Sequence, residues 1–320
     1  RWLGERFRER GYATAAIFGN EKLPRSSRMS TGFEEITVSR ESGMCRSGPG
    51  FLLSMVTAYG GSPPPLCTRM LAGPVVERAR SFVRRGERPY LLALNFMDPH
   101  NPYYVPRECR GPELVLATHA EEREVVNATP NAPAKPAAIA RVRAQYRAAL
   151  TCMDRTFGAL LEEVDDGNTV IAIVADHGEH FGEHGFGGHG VSLYRELLHV
   201  PLLLKVPGAA PTRIHDAVST ADLYETLVRA ADPSRARAPL PLLDPRQRRS
   251  AVASYAVKGA ASGYSITRGD TQLIRYGDGR EMLFGPAPDA ATLASMRDVL
   301  LRAARQQQRR VEFESLGYLR

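Results

Sequence analysis

Two acid–imidazole groupings carry most of the chemistry this chain can offer. The first is Asp176-His177-Gly178-Glu179, which ends an apolar run over residues 170–175 with the look of a buried strand. Gly187-Gly188-His189-Gly190 begins eleven residues after Asp176, and Ser192-Leu193-Tyr194-Arg195-Glu196 comes next. A carboxylate oxygen beside an imidazole nitrogen is a donor set for hard to borderline divalent cations. Five histidines (His177, His180, His184, His189, His199) fall within 23 residues of a chain that holds eight. That crowding favours a cation or anion site over the plainer alternative, a strand-ending Asp that caps a turn beside a surface His. The second grouping is Asp98-Pro99-His100-Asn101-Pro102-Tyr103. His100, which follows a strand and lies between two prolines, reads as part of a polar strand end, with a bare turn residue as the alternative. Asp98 reads as orienting the turn or His100. His180 and His184 read as supporting or surface residues, and Ser192 as a helix cap. Tyr103 and Tyr104 suit either the lining of a substrate mouth or aromatic packing.

Such groups need elements that end where they begin. Residues 90–97 form an apolar run, as a strand covered on both faces demands, and lead into Asp98. Residues 2–10 have a helical pattern stopped by Gly11, and a short strand over 13–18 runs into Gly19-Asn20. Three strand ends thus carry polar residues, after Phe18, Met97 and Ala175. Ligands gather at the carboxyl ends of open parallel sheets, so parallel strands would set all three on one rim. A helix is expected over 75–85. A long one is expected over 137–164, with Val142, Tyr146, Leu150, Met153, Phe157, Leu160 and Leu161 on one face. Residues 201–206 read as a further core strand, and 219–231 as a helix capped by Ser219 or Thr220. Residues 37–73 and 118–136 read as loop, the latter a polar surface excursion. A Pro- and Arg-dense stretch over 232–250 marks a boundary. Beyond it come strand candidates at 251–257, 263–267, 271–276 and 280–284 and a helix over 289–308.

Composition narrows the function class. A length of 320 residues with 43% hydrophobic content suits one large α/β domain with a smaller appendage. The net charge of +7 invites a nucleic-acid reading. The basic residues are nearly all arginine, however, scattered among acids without an aromatic-interleaved groove, and nucleic-acid binding is not expected. No apolar run approaches a membrane span and no signal peptide is visible. Cys45, Cys67, Cys109 and Cys152 show no zinc spacing. Cys152 reads as a core residue, while Cys45 and Cys67 lie in loop-like sequence and could pair in an oxidising compartment. The chain opens at Arg1 without Met, directly in a helical pattern, which suggests that the natural protein extends upstream.

Taken together, these segments resemble the sulfatase branch of the alkaline-phosphatase superfamily. The block Val174-Ala175-Asp176-His177-Gly178-Glu179, Gly182-Glu183-His184-Gly185, Gly188-His189-Gly190, Ser192 to Glu196 and Val200-Pro201-Leu202 is its most specific part. Gly11-Tyr12-Ala13-Thr14-Ala15 with Asn20, Gly32-Phe33-Glu34-Glu35, Asn95 to His100 and Val218 to Asp222 are similar to further family segments in the right order. The resemblance implies an α/β fold with a mostly parallel central sheet flanked by helices. It implies a core over 1–232 and a small C-terminal antiparallel sheet-plus-helix subdomain over 250–320. It implies that Asp176 and His177 ligate a divalent metal ion, calcium first, with manganese or zinc as alternatives. By the same resemblance His100 sits against the ester oxygens or protonates the leaving group, and His189 contacts the sulfuryl group. The substrate implied is a small anionic sulfate ester.

The chain departs from the family pattern in one respect. The hallmark C/S-x-P-x-R motif, source of a formylglycine nucleophile, is absent, as are the acidic metal ligands that precede the Gly-Tyr segment. Cys67-Thr68-Arg69-Met70 and Cys45-Arg46-Ser47-Gly48-Pro49 lack its Pro and Arg. The expectation is therefore a sulfatase-like hydrolase whose nucleophile lies in a missing N-terminal segment, with the 320 residues inactive alone. The alternatives are a phosphodiesterase or phosphoglycerol-transferase relative, or a non-catalytic scaffold of the same fold. A periplasmic or extracellular location follows from resemblance only; substrate identity and oligomeric state stay open.

Overall fold

The protein is described by a computed structural model covering residues 2–20, 23, 28–38, 71–86, 89–232, 240–244, 251–255 and 263–315. The chain divides into two compact units, residues 1–125 with 135–169, and residues 126–134 with 170–320.

In the first unit α1 (Leu3–Arg8) precedes β1 (Ala13–Phe18), which lies between β2 (Glu35–Val38) and β3 (Tyr90–Asn95). Both neighbours are parallel to β1. A small apolar sequence suits this central position, and β1 is buried from Thr14 onward. The segment Gly32 to Glu35 is structural: Glu34 Oε2 accepts from Thr14 N at 3.0 Å, and Thr14 Oγ1 accepts from Glu34 N at 3.0 Å. Helices α2 (Ala72–Arg84) and α4 (Pro136–Val164) build a core of Ile17, Val75, Val76, Ala79 and Leu160, with Leu92, Leu94, Phe96 and Phe157 against it. Pro136 opens α4 at its first turn, where a missing N–H costs nothing.

Three expectations are corrected here. The buried stripe of α4 keeps Val142 and Leu160 of the expected face but otherwise runs through Ala138, Gln145, Ala149 and Cys152, with Tyr146, Leu150, Met153, Phe157 and Leu161 half-buried. Residues 118–136 are not wholly irregular: α3 (His119–Val126) forms there, opened by a reciprocal box in which Glu121 N donates to Thr118 Oγ1 and Thr118 N to Glu121 Oε2. Cys152 is buried as expected, yet it is bonded to Cys109 as a disulfide. Cys45 and Cys67, and most of the 37–73 loop, lie outside the described residues.

In the second unit β4 (Ile171–Val174) pairs with β7 (Leu202–Lys205), and the pairing is antiparallel. Among the described residues, the parallel strands paired with one another are β1, β2 and β3, with Gly19-Asn20 and Asp98 after the ends of β1 and β3. There Gly19 N donates to Asn95 O at 2.9 Å and Asn20 N to Asn95 Oδ1 at 3.1 Å. Short β5 (His180–Phe181) and β6 (Gly187–Gly188) pair antiparallel, followed by α5 (Arg195–Leu198) and α6 (Asp222–Ala230). Ser219 Oγ accepts from Ala221 N at 3.3 Å, one step before the first residue of α6. Strands β8 (Ala251–Tyr255), β9 (Gly263–Arg268), β10 (Thr271–Tyr276) and β11 (Glu281–Phe284) form one antiparallel sheet in the order β11-β10-β9-β8. Helix α7 (Ala290–Ser315) closes over it through Met296 and Leu300, against Ile266 and Leu273. Parallel sheet, flanking helices and terminal antiparallel sheet with its helix are the α/β architecture that the sequence led us to expect. No described helix is long and apolar enough to cross a membrane.

Candidate functional site

In the first unit the carboxyl end of β3 runs into a turn closed by His100 N donating to Met97 O at 3.1 Å. Asp98 is buried, and its Oδ1 accepts from Ala72 N at 3.1 Å. A carboxylate at the first residue of a helix meets orphan N–H groups and the positive end of the dipole. Asp98 thereby ties the strand end to α2. His100 Nδ1 lies 2.7 Å from Asn101 O. A carbonyl only accepts, so Nδ1 carries the hydrogen and Nε2 is the nitrogen that gives or takes a proton.

The second unit holds Asp176, His177 and His189. His177 N donates to Asp176 Oδ1 at 3.1 Å, and His177 Nδ1 lies 2.8 Å from Gly178 O. The same argument therefore places the lone pair of neutral His177 on Nε2, which stands 3.8 Å from Asp176 Oδ2. Asp176 is 84% exposed at its side chain, as a residue open to ligands must be. The rings of His177 and His189 stack at 4.2 Å with 25° between planes. Behind His189 stands Glu179, whose oxygens lie 3.1 and 3.2 Å from His189 Nδ1. That hydrogen bond holds the His189 imidazole above its ordinary value of 6.5, against the opposing effect of burial, and the charges of Glu179 and Asp176 push the same way.

Two glycines explain why the chain can bend so tightly here. A Cβ on Gly178 would fall on the Glu196 carbonyl oxygen, while Gly178 N donates to Leu197 O at 2.8 Å. Gly188 has φ +68° and would set a Cβ 2.8 Å from Val126 O. Only glycine lets backbone approach backbone so closely.

His180 is fully buried, with Nε2 2.8 Å from Ser192 Oγ. Burial depresses its pKa below the ordinary value, against the raising effect of Glu196 and Glu183. Ser192 Oγ also accepts from Tyr194 N at 3.3 Å, so the expected capping serine serves a turn and an imidazole together. His184 takes a left-handed φ of 56°, stacks on Tyr194 at 4.1 Å and places Nε2 3.3 Å from Glu196 Oε1. Sequence reasoning passed over Glu179 and Glu196. Their spacing from His189 and His184, ten and twelve residues, has no local period, so only the fold pairs them.

Asp176 and His177 were tested as cation ligands on their geometry. Oxygen and nitrogen donors of one cation lie about 3–3.5 Å apart when each bond is near 2.1 Å. The 3.8 Å separation of Oδ2 and Nε2 fits two positions of such a set after a small adjustment. Among the described residues, no group of three or more His, Cys, Asp or Glu side chains is arranged to hold a metal ion.

In open α/β sheets ligands gather at the carboxyl ends of the strands, where the turn after β3 stands. A family model described as Sulfatase matches residues 2–233, and the chain belongs to the sulfatase family. It is 28% identical over 151 residues to an endo-4-O-sulfatase of Bacteroides thetaiotaomicron, covering 46% of this chain and 29% of that protein. It is 30% identical over 149 residues to human iduronate 2-sulfatase, covering 38% of this chain and 27% of that protein. The chain thus spans less than a third of the length of either relative. Among solved structures, a protein in complex with its substrate D-glucosamine-2-N,6-O-disulfate is similar with a TM-score of 0.63 at 15% identity, over 96% of this chain and 82% of the other. A phosphonate monoester hydrolase of Agrobacterium radiobacter gives 0.59 at 17% identity, over 96% and 79%. At these identities the structural likeness is one of fold.

Proposed function

We propose that this protein takes part in metal-assisted hydrolysis of a sulfate monoester, with sulfated sugars as the first substrates to test because the named relatives include iduronate 2-sulfatase. The observation that carries this reading is the stack of His189 on His177, with Asp176 on one side and Glu179 on the other, inside the family-matched region. Asp176 and His177 would hold two positions on a divalent cation, calcium first and manganese or zinc as alternatives. Such an ion, when bound, screens the charge on the ester oxygens and lowers the barrier by several kcal/mol.

The remaining chemistry belongs to this chain's own side chains. His189, held by Glu179 through Nδ1, presents its other edge as a donor to sulfuryl oxygen. As the ester S–O bond breaks, the departing oxygen needs a proton, and His100 is the proposed donor through Nε2. Positioned proton transfer of this kind is worth about 10²–10⁴ in rate. No C/S-x-P-x-R segment occurs in these 320 residues. We therefore assign the nucleophile, a formylglycine by family resemblance, to sequence outside them and propose that the 320-residue chain is inactive alone. The Cys109–Cys152 bond supports an oxidising compartment, periplasmic or extracellular.

The test is hydrolysis of 4-nitrophenyl sulfate and 4-nitrophenyl phosphate by protein expressed from the complete gene. The expected result is sulfatase activity that chelators abolish, and that falls by about 10²-fold or more in Asp176→Asn on 4-nitrophenyl sulfate and in His100→Ala on phenyl sulfate, whose leaving oxygen needs the proton. A preference for the phosphate ester, or full activity in both variants, contradicts the proposal. Absence of either activity would favour the non-catalytic scaffold.

A further inference from the structure

We propose that Gln145 is a positioning residue, which holds the chain after His100 in one geometry by gripping both feet of the loop that follows. Gln145 lies on the buried stripe of α4 between Val142 and Ala149, where the helical pattern asks for an apolar side chain. It is only 7% exposed. Its Oε1 accepts from Ala117 N at 2.8 Å, and its Nε2 donates to Tyr103 O at 2.5 Å and to Glu122 Oε1 at 2.7 Å. Both amide hydrogens are used, and the orientation of the amide is fixed. A flipped amide would face an N–H donor with its own N–H, and two acceptors with its oxygen.

The partners give this arrangement its meaning. Tyr103 stands three residues after His100, and Ala117 stands at the far end of the loop over 104–116. One amide therefore joins the loop's two feet, and buried Glu122 backs it from α3. Two helical turns further along α4, Cys152 fixes the middle of the same loop through Cys109. Tyr146, next to Gln145, meets the Tyr103 ring edge-on at 5.4 Å. A buried polar side chain on an apolar stripe costs desolvation, which these three hydrogen bonds offset. A leucine would serve the helix alone. What the glutamine adds is a fixed exit for the His100 turn.

The catalytic side of this proposal rests on His100 being the proton donor to the leaving oxygen. A displaced donor hurts poor leaving groups most, because good ones depart without a proton. The experiment compares kcat/KM of wild type and Gln145→Met on 4-nitrophenyl sulfate and phenyl sulfate, with protein from the complete gene. The expected loss is roughly 10–100-fold on phenyl sulfate and within about threefold on 4-nitrophenyl sulfate. Equal losses on both substrates, or none on either, overturn the proposal, since a merely structural residue would not read the leaving group. Gln145→Glu, which keeps the acceptor for Ala117 N, takes its place if the Met variant fails to fold.

A second measurement needs neither activity nor a variant. Hydrogen exchange on the wild-type chain should find the Ala117 amide protected by at least about 10²-fold over its unfolded rate, although its neighbours lie in an exposed loop. Fast exchange there overturns the proposal even if the enzyme is active. Protection in a protein without sulfatase activity would count against the catalytic reading while leaving the anchor in place.

Discussion

At the scale of single residues, the region from 176 to 196 is governed by what each neighbour permits. Gly178 is glycine because the Glu196 carbonyl occupies the space of a Cβ, and this close approach sets the residues on either side of it. Asp176 and His177 face outward on one side, and Glu179 sits behind His189 on the other. A cluster of acids and imidazoles was legible in the sequence, since five of the eight histidines fall in one block. The partner of each imidazole was not. Glu179 with His189, Glu196 with His184 and Ser192 with His180 are all non-local pairings.

His180 offers a pH test. Its pKa is depressed in the folded state by burial, so below about 6.5 the unfolded chain takes up a proton that the folded chain refuses. Stability from this group is whole above about pH 7 and is lost as pH falls through 6.5 toward the folded value. Glu183, Glu196 and His184 surround it, and the comparison must hold them constant. Urea midpoints of wild type and His180→Gln between pH 7.5 and 5.5 should therefore converge as pH falls, by up to about 1 kcal/mol per pH unit. Parallel curves would contradict a neutral, buried imidazole.

At the scale of elements, patterns with a period were read correctly and those set by tertiary contact were not. The four C-terminal strands and α7 fall close to where the sequence put them, and β9, β10 and α7 share a single small core. The antiparallel pairing of β4 with β7 was not legible in the sequence: an apolar run signals burial on both faces and says nothing of the partner's direction. The face expected on α4 holds at Val142, Leu160 and Phe157, while Ala138, Gln145, Ala149 and Cys152, which it left out, are buried as well. Helix α3 was missed although Thr118 and Glu121 carry the spacing of a capping box. The Arg141 guanidinium beside Glu121 then holds that carboxyl down at about 2.

The disulfide was out of reach of spacing rules, since its 43-residue separation matches no motif. Closing a loop of that length constrains the unfolded chain by about 4 kcal/mol on the chain-entropy model. Peptide mapping without reductant should recover Cys109 and Cys152 on one linked species, and Cys109→Ser should lower the unfolding free energy by about 2–4 kcal/mol. Two alkylatable thiols at these positions in material from an oxidising compartment would contradict the pairing.

At the scale of the whole molecule, the fold is that of the sulfatase family and the assigned chemistry falls in two units, with His100 in the first and Asp176, His177 and His189 in the second. As proposed ligands, Asp176 and His177 would supply two positions, against the six to eight oxygens that calcium takes. The 320-residue chain should therefore bind calcium or manganese no more tightly than about 1 mM by isothermal titration, and micromolar affinity would show a fuller set. Weak binding is still locatable. With histidine imidazoles labelled in ¹⁵N, traces of Mn²⁺ broaden the rings nearest the ion first. The account predicts that His177 and its stacked neighbour His189 broaden before the other histidines, and that Asp176→Asn raises the Mn²⁺ required by roughly tenfold. Broadening that begins at His119 or His215, or that ignores the loss of the Asp176 carboxylate, would contradict it.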